Sequence, residues 1–341
     1  MLQATGEFRP WGRFDQLLNT QQGSKWSLIA CCSHEYRCRA VFECINELDI
    51  FGPQLVFEIK DPLSVSTDEI ERKTAENRAY VTSLGFEDQS ISAHGLIDPF
   101  SGYERALREF LTKIGDQSLI IDITSLPKKI YFFLTKLLFG EFNQPRNVVF
   151  TYAEPNVYSD KPLAENPDPW EALPGFRISP RDEGNRKVVV GIGYEPLGLP
   201  DLVDSGRFDE TQMNFLFPFP AQADRVARNW RFIRGIFPNP DSGRLSVKRV
   251  DGINVPEVYQ ALLGIGEHGE QGLILAPFGP KPVSLAMALY AAKYSQPCSQ
   301  TGVYYTQPTY YNPDYSAGVR EIDGRKALNA YCVKLNGHFV Y

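Results

Sequence analysis

Short apolar runs alternate with segments whose apolar residues recur at helical spacing through the first half of the chain. This pattern predicts strands at 27–32, 54–60, 90–96, 118–123 and 146–152. Between them it predicts helices at 34–48, 66–84, 102–114 and 127–139. Strands that alternate with amphipathic helices pair in parallel through right-handed crossovers. We therefore expect the first half to form a doubly wound, Rossmann-like parallel sheet.

The second half repeats this order of elements. Strands are predicted at 187–191, 212–217, 244–250, 271–276 and 302–305, and helices at 221–237, 255–264 and 282–294. Segment 197–211 stands where the first helix is expected, and it reads as a degraded helix or a loop. Residues 328–335 could add a final strand. These elements predict a second parallel sheet.

The two halves share a local device, in which an apolar strand, a short turn ending in Pro-Lys and an apolar helix follow one another. It occurs at Lys128 and again at Lys281. Other positions correspond at the same or nearly the same spacing: Asp98 with Asp251, Tyr152 with Tyr305, and Glu35 with Glu195. We interpret this as an internal duplication, which gives an α/β fold of two tandem Rossmann-like doubly wound parallel-sheet units. The alternative is that any two α/β domains share apolar strands and proline turns.

The predicted boundaries follow from this repeat. Residues 1–26 precede it as an N-terminal extension, 27–158 form the first Rossmann-like unit, and 187–341 form the second. Segment 159–186 is rich in Pro, Asp, Glu and Gly and has no usable periodicity, so it is the predicted linker.

Composition narrows the function classes. The chain has 341 residues, of which 43% are apolar and 22% charged, as in ordinary globular proteins. Its net charge of −6 argues against general binding of DNA or RNA. The six cysteines and four histidines show no spacing typical of a metal site, so none is expected. Without a membrane-length apolar run or a secretory signal, the expected location is cytoplasmic.

The turns after the predicted strands hold the candidate ligand groups. A strand that turns into a helix directs backbone N–H groups and the positive helix end outward, which suits phosphate, and a lysine there adds charge. The candidate ligand-binding residues are Thr124, Ser125, Lys128, Gly279, Lys281, Glu35, Glu195, Asp98 and Asp251. The two lysines could equally be ordinary solvated side chains. No glycine-rich dinucleotide or Walker motif is present, so no cofactor is expected.

Aromatic strings follow the last strand of each half, at 152–158 and 304–315. Their tyrosines could stack on nucleobases. They could also simply cover the edge of a sheet.

Residues 121–138, and more clearly 275–292, resemble the strand-turn-helix signature of CRISPR-associated Rossmann-like domains. The family of fused two-unit sensors called SAVED is similar in architecture. This resemblance implies binding of cyclic oligoadenylates in prokaryotic antiviral systems, with Thr124, Ser125, Lys128, Gly279 and Lys281 at the matching turn positions. The chain departs from the signature because the Gly-Gly pair is absent from the first copy and Leu275 and Pro277 replace Asp and Thr in the second.

Three functions remain open. The first is a sensor that binds a phosphate-bearing nucleotide in bacterial antiviral defence and acts on an effector or partner protein. The second is a phosphodiesterase or nucleotide hydrolase on the same scaffold, with Lys128, Ser125 and Glu35 as candidate groups. The third is a non-catalytic scaffold subunit of a defence complex.

Overall fold

The part of the chain that the structure, a computed structural model, describes comprises residues 8–18, 25–87, 90–159, 164–167, 169–179, 186–193, 213–219, 223–236, 245–295 and 301–341. The chain divides into two units. The first consists of Met1–Ile130, Gly140–Ala164 and Thr309–Tyr341. The second consists of Tyr131–Phe139 and Glu165–Pro308.

The strands and helices follow in chain order. The strands are β1 Trp11–Arg13, β2 Trp26–Cys32, β3 Phe51–Lys60, β4 Ile91–Gly95, β5 Ser118–Asp122, β6 Val148–Ala153, β7 Pro155–Tyr158, β8 Ala164–Pro167, β9 Glu171–Ala172, β10 Lys187–Gly191, β11 Met213–Phe219, β12 Leu245–Asp251, β13 Leu273–Pro277, β14 Gly302–Tyr305, β15 Pro308–Tyr311, β16 Ser316–Val319, β17 Glu321–Ile322, β18 Arg325–Lys326, β19 Leu328–Leu335 and β20 His338–Phe339. The helices are α1 Phe14–Leu18, α2 Arg39–Leu48, α3 Thr67–Ser83, α4 Ser101–Ile114, α5 Lys128–Phe139, α6 Ala223–Ile236, α7 Val255–Ile265 and α8 Lys281–Tyr294.

The first unit is built on a sheet whose parallel strands lie in the order β6-β5-β2-β3-β4. Strand β2, the first of these parallel strands along the chain, therefore lies in the middle. The later strands add outward on either side of it, which is the Rossmann arrangement. Every residue of β2 and β6 is buried. Such uninterrupted apolar strands are typical of a parallel sheet covered on both faces. Helix α4 supplies part of this cover through Tyr103, Leu107 and Phe110, which share one face of the helix.

A C-terminal strand extends this sheet beyond β6. Strand β19 runs antiparallel to β6 and pairs Leu328 with Ala153 and Tyr331 with Phe150. Strand β1 pairs with the other side of β19, where Trp11 lies opposite Tyr331. A strand as apolar as β6 at an edge would leave backbone N–H and C=O groups unpaired beside buried side chains. Pairing with β19 removes that cost.

The second unit contains a sheet in the order β12-β11-β10-β13-β14-β9. Strands β10 to β14 are parallel, and the two-residue β9 adds an antiparallel edge to β14. Its apolar core includes Val190, Phe215, Ile233 and Ile274. Helix α8 is buried without a break from Pro282 to Ala292. A helix that is apolar on all sides lies inside the protein rather than on its surface.

The sequence-based fold class is confirmed at the level of an α/β protein with Rossmann-type, predominantly parallel sheets. Both parallel sets wind in the same strand order, as a duplication would require, but this order is common and the duplication stays a prediction. The predicted helix region 197–211 and Glu195 lie outside the described residues.

The boundaries differ from those predicted. Residues 309–341, expected in the second unit, belong to the first, because β19 supplies the pairing that the exposed side of β6 requires. Residues 11–13, expected in a separate extension, form β1 in the same sheet. Part of the predicted linker forms β9 in the second sheet.

Among the described helices, none combines the length and the apolar character that a membrane crossing requires.

We predict that Tyr331→Ala destabilises the protein by about 3–5 kcal/mol, because it removes a fully buried aromatic ring from β19. Hydrogen exchange should then accelerate in Val148–Ala153, the strand that β19 pairs with. The control is Leu335→Ala, which removes a side chain that is 38% exposed at the end of the same strand and should cost less than about 0.5 kcal/mol. Faster exchange in Gly302–Tyr305 with unchanged exchange in β6 would contradict the assignment of β19 to the first sheet.

Candidate functional site

The carboxyl ends of two neighbouring strands define a candidate site in each unit. In the first unit they are β2 and β5, and in the second they are β10 and β13. At these points the strand order reverses, so that the chain leaves the two strands in opposite directions along the sheet. Open α/β sheets bind ligands in the crevice that this reversal creates.

In the first unit, the turn after β5 is tied to its neighbours by two predicted site residues. The buried hydroxyl of Thr124 donates to Oδ1 of Asp122 at 2.8 Å and accepts from the backbone N–H of Ala153 at 2.9 Å. Ser125 donates from Oγ to the carbonyl of Cys31 at 2.7 Å. These hydroxyls therefore hold β5 to β6 and to β2. Lys128 is the first residue of α5 and is half-buried.

Glu35, a partly buried side chain after the end of β2, forms an ion pair with the buried Arg37. Its Oε2 accepts from Arg37 and, at 3.1 Å, from Oγ of Ser316. The guanidinium also donates to the Ala153 carbonyl at 2.9 Å and to Ser316 at 3.2 Å, and Arg37 is only 4% exposed. Burial disfavours the charged guanidinium, but Glu35 and Tyr152 outweigh it and raise the pKa of Arg37. Glu35 thus neutralises Arg37.

The predicted site residues Asp98 and Asp251 form local turn contacts. Oδ2 of Asp98 accepts from the N–H of Gly95 at 2.6 Å, just after β4. Oδ1 of Asp251 accepts from the N–H of Ile253 at 3.0 Å before helix α7. Asn254 caps that helix by accepting from the N–H of Glu257 at 3.0 Å. Both aspartates therefore stabilise the turns in which they lie.

His34 and Asp61 are titratable groups at the first carboxyl edge, and they follow β2 and β3. Burial lowers the pKa of His34, and the charges of Glu35 and Lys73 act on it in opposite directions. The imidazole is therefore neutral at pH 7. Burial raises the pKa of Asp61 to about 6. No pattern in the sequence indicates that Asp61 is desolvated.

In the second unit, two glycines let the turns at the strand ends approach each other. A Cβ on Gly193, after β10, would lie 2.2 Å from the carbonyl oxygen of Phe278, after β13. A Cβ on Gly279 would lie 3.3 Å from the carbonyl carbon of Gly191. Only glycine fits position 193 without a shift of backbone. Lys281 follows this turn as the half-buried first residue of α8.

An aromatic cluster lies beside this turn, and sequence analysis missed most of it. The Trp170 ring stacks on Tyr304, with centroids 5.9 Å apart, and lies 5.7 Å from the Phe278 ring. The Phe278 ring in turn lies 5.8 Å from that of Tyr305. Trp170 lies in the predicted linker. Its apolar ring is the only feature of the sequence there that indicates a packed side chain.

Among the described residues, no group of three or more His, Cys, Asp or Glu side chains is arranged to hold a metal ion. Cys31, Cys32, Cys38 and Cys332 are buried free thiols. Buried thiols in apolar surroundings are poor nucleophiles, and burial raises the pKa of Cys332 to about 11.

We predict that Arg37→Ala lowers the free energy of unfolding by about 3–5 kcal/mol, because the carboxylate of Glu35 is left without its buried cation. Urea unfolding measures the loss. The matched control is Arg72→Ala, which breaks an exposed pair with Glu76 and should cost about 0.5 kcal/mol or less. Equal losses in the two variants would show that the Arg37–Glu35 pair contributes no more than a surface pair.

We predict that Asp61→Asn stabilises the protein by about 1–3 kcal/mol at pH 7.5. The reason is that the folded state disfavours ionised Asp61, whose pKa is about 6 against an ordinary 3.8. This penalty is complete above pH 6 and disappears as the pH falls toward 3.8, so the gain should shrink over that window. Urea unfolding at several pH values measures it. Glu71→Gln, an exposed change in α3, should show no such dependence, and a gain independent of pH would contradict the cause given.

Comparisons with known proteins identify no family for this chain. No family model matches it, and no curated protein does. Among solved structures, it is similar to a putative universal stress protein from Pseudomonas aeruginosa UCBPP-PA14, with 10% identity, a TM-score of 0.24, and 85% of this chain and 96% of that chain covered. A functionally unknown protein from Pseudomonas aeruginosa PAO1 has 9% identity, a TM-score of 0.22, and coverage of 85% and 95%. Anabaena HepE in complex with UDP and glucose has 8% identity, a TM-score of 0.20, and coverage of 81% and 92%. At such TM-scores the likeness carries no argument about function.

Proposed function

We propose that this chain is a cytoplasmic nucleotide-binding sensor of a bacterial antiviral defence system, which binds a phosphate-bearing nucleotide and acts through a partner protein. Cyclic oligonucleotides belong to the proposed ligand class. The assignment to defence rests on the sequence resemblance alone. Binding of the nucleotide rests on the positions of Lys128 and Lys281.

One observation carries the proposal. In each sheet, the helix that follows the strand next to the central strand begins with a lysine. In the first sheet this strand is β5, next to β2, and in the second it is β13, next to β10. Lys128 begins α5, which has 12 residues, and Lys281 begins α8, which has 14. Helices of this length present a positive dipole end and N–H groups at their first turn. An anion at the strand reversal would meet both the helix end and the lysine.

A nucleotide suits the second unit better than a bare phosphate does. The rings of Trp170, Phe278 and Tyr305 lie next to the turn that leads into Lys281. A free anion gains nothing from aromatic surfaces. A ligand with a charged group and a planar ring would use both the lysine and the cluster.

Nucleotide hydrolysis is the second candidate, and His34 is the observation that favours it. Its imidazole lies at the strand reversal of the first unit, and burial lowers its pKa, which favours the neutral form that a general base requires. The groups suggested by the sequence fit less well. Ser125 donates to a backbone carbonyl, and Glu35 neutralises Arg37.

We predict that Lys128→Ala and Lys281→Ala each weaken binding of the nucleotide about tenfold or more, because each removes a charge-assisted contact to phosphate. Isothermal titration of the full chain with mono-, di- and cyclic oligonucleotides measures the dissociation constants. Lys113→Ala and Lys293→Ala are matched controls, because these lysines lie in the last turns of α4 and α8.

Unchanged affinity in both test variants would refute the phosphate site. Formation of product during the titration, rather than binding alone, would favour the hydrolase over the sensor.

A further inference from the structure

Three buried polar atoms near the carboxyl edge of the second sheet have no hydrogen-bond partner within the described part of the chain. They are Nε1 of Trp170, Oδ1 of Asn229 and Oγ1 of Thr306. Asn229 is 7% exposed and Thr306 is 1% exposed. Buried polar groups in native proteins are almost always hydrogen-bonded, so a cluster of exceptions points to a missing partner.

The sheet register brings two of these residues together. Strand β14 pairs with β9 so that Tyr305 lies opposite Glu171, and continuing this register places Thr306 opposite Trp170. On its other side, β14 pairs with β13 through Val303 and Leu275, and the same continuation places Thr306 level with Phe278. The ring contact between Trp170 and Phe278 agrees with this placement.

Asn229 reaches the same face of the sheet from α6. Its Nδ2 donates to the carbonyl of Gly193 at 2.8 Å, and Gly193 adjoins Phe278. Ile233, one helical turn later on the same face of α6, packs into the core cluster that also contains Phe278. Trp170 is packed against that cluster. The three unsatisfied atoms therefore lie on one face of the sheet, around the turn that precedes Lys281.

The chemistry of the three atoms limits what would complete them. The indole Nε1 only donates, the amide Oδ1 only accepts, and the threonine hydroxyl does either. The Trp170 ring contacts the rings of Phe278 and Tyr304, and the Phe278 ring also contacts that of Tyr305. A partner that offers both an acceptor and a donor on a planar, apolar body satisfies these conditions. A nucleobase has this combination on its edge, whereas phosphate has no planar apolar surface.

We propose that Trp170, Asn229, Thr306 and Phe278 form a subsite for the base of a nucleotide, which we call the base subsite. It rests on the proposed function, because the phosphate of the same ligand would lie toward Lys281. The indole N–H donates to a ring nitrogen or carbonyl of the base, and Oδ1 of Asn229 accepts from its N–H. The hydroxyl of Thr306 completes the edge.

The base subsite predicts opposite effects of one substitution on stability and on binding. Thr306→Val keeps the shape of the side chain and removes the unsatisfied hydroxyl, so it should raise the melting temperature of the free protein. The same change should weaken binding of a nucleoside monophosphate about tenfold. Trp170→Phe, which keeps a ring and removes the N–H, should weaken it similarly. A substitution that merely loosens the structure would lower both quantities.

Tyr290→Phe is the matched control. The hydroxyl of Tyr290 is also buried without a partner among the described residues, but it adjoins Gly266, just after α7. Its removal should leave the affinity for nucleotides unchanged while not lowering the melting temperature.

The experiment is isothermal titration of the full chain and these variants with the four nucleoside 5′-monophosphates, the matching nucleosides and ribose 5-phosphate. At least one monophosphate should bind about tenfold or more tightly than ribose 5-phosphate, and Thr306→Val and Trp170→Phe should abolish that difference. Equal binding of ribose 5-phosphate and monophosphates, unaffected by either variant, overturns the base subsite and leaves the phosphate site standing. Nucleosides that bind as tightly as their monophosphates overturn the phosphate site and leave the base subsite. If no probe binds, both are overturned.

Discussion

Burial of the central parallel strands on both faces is the constraint on which the rest of this structure depends. All residues of β2, β6 and β13 are buried, and all but the first residue of β5 and of β10. Strands of this kind leave little room for ligand chemistry on the faces of the sheets. Polar groups that can still form hydrogen bonds therefore lie at the strand ends. The helices and the candidate lysines follow the carboxyl ends of the strands.

The two carboxyl edges meet this constraint differently. In the first unit the polar groups bond mainly to one another: Thr124 to Asp122, Ser125 to Cys31, and Glu35 to Arg37. These contacts stabilise the ends of β2 and β5 and explain why the groups are tolerated there. In the second unit Trp170, Asn229 and Thr306 keep unsatisfied atoms among the described residues. The second edge is therefore the better candidate for a bound ligand.

Local elements could be predicted from the sequence because apolar periodicity sets them. The expected strand at 118–123 is β5, and the expected helix at 127–139 is α5, each within one residue at its ends. The return of β19 to the first sheet could not be predicted, because nothing local to 328–335 specifies which distant edge it covers. The role of Trp170 was hidden for the same reason, since it depends on the pairing of a two-residue strand. Likewise, the sequence shows Glu35 and Arg37 two positions apart but not their burial against Ser316.

The predicted internal duplication matches residues of the first edge with residues of the second. In the first unit, Thr124 and Thr151 both donate to Asp122 at 2.8 Å, and Thr124 also accepts from Ala153. In this predicted correspondence, Asp122 matches Leu275, Thr124 matches Pro277, Thr151 matches Tyr304 and Ala153 matches Thr306. Leucine and proline have no side-chain polar atoms, and Tyr304 stacks on Trp170 instead. In the first unit these hydrogen bonds close the edge of the sheet. The second unit has no polar side chain at Leu275 or Pro277, and the hydroxyl of Thr306 is unsatisfied among the described residues. This difference favours the second edge as the place of the proposed base subsite.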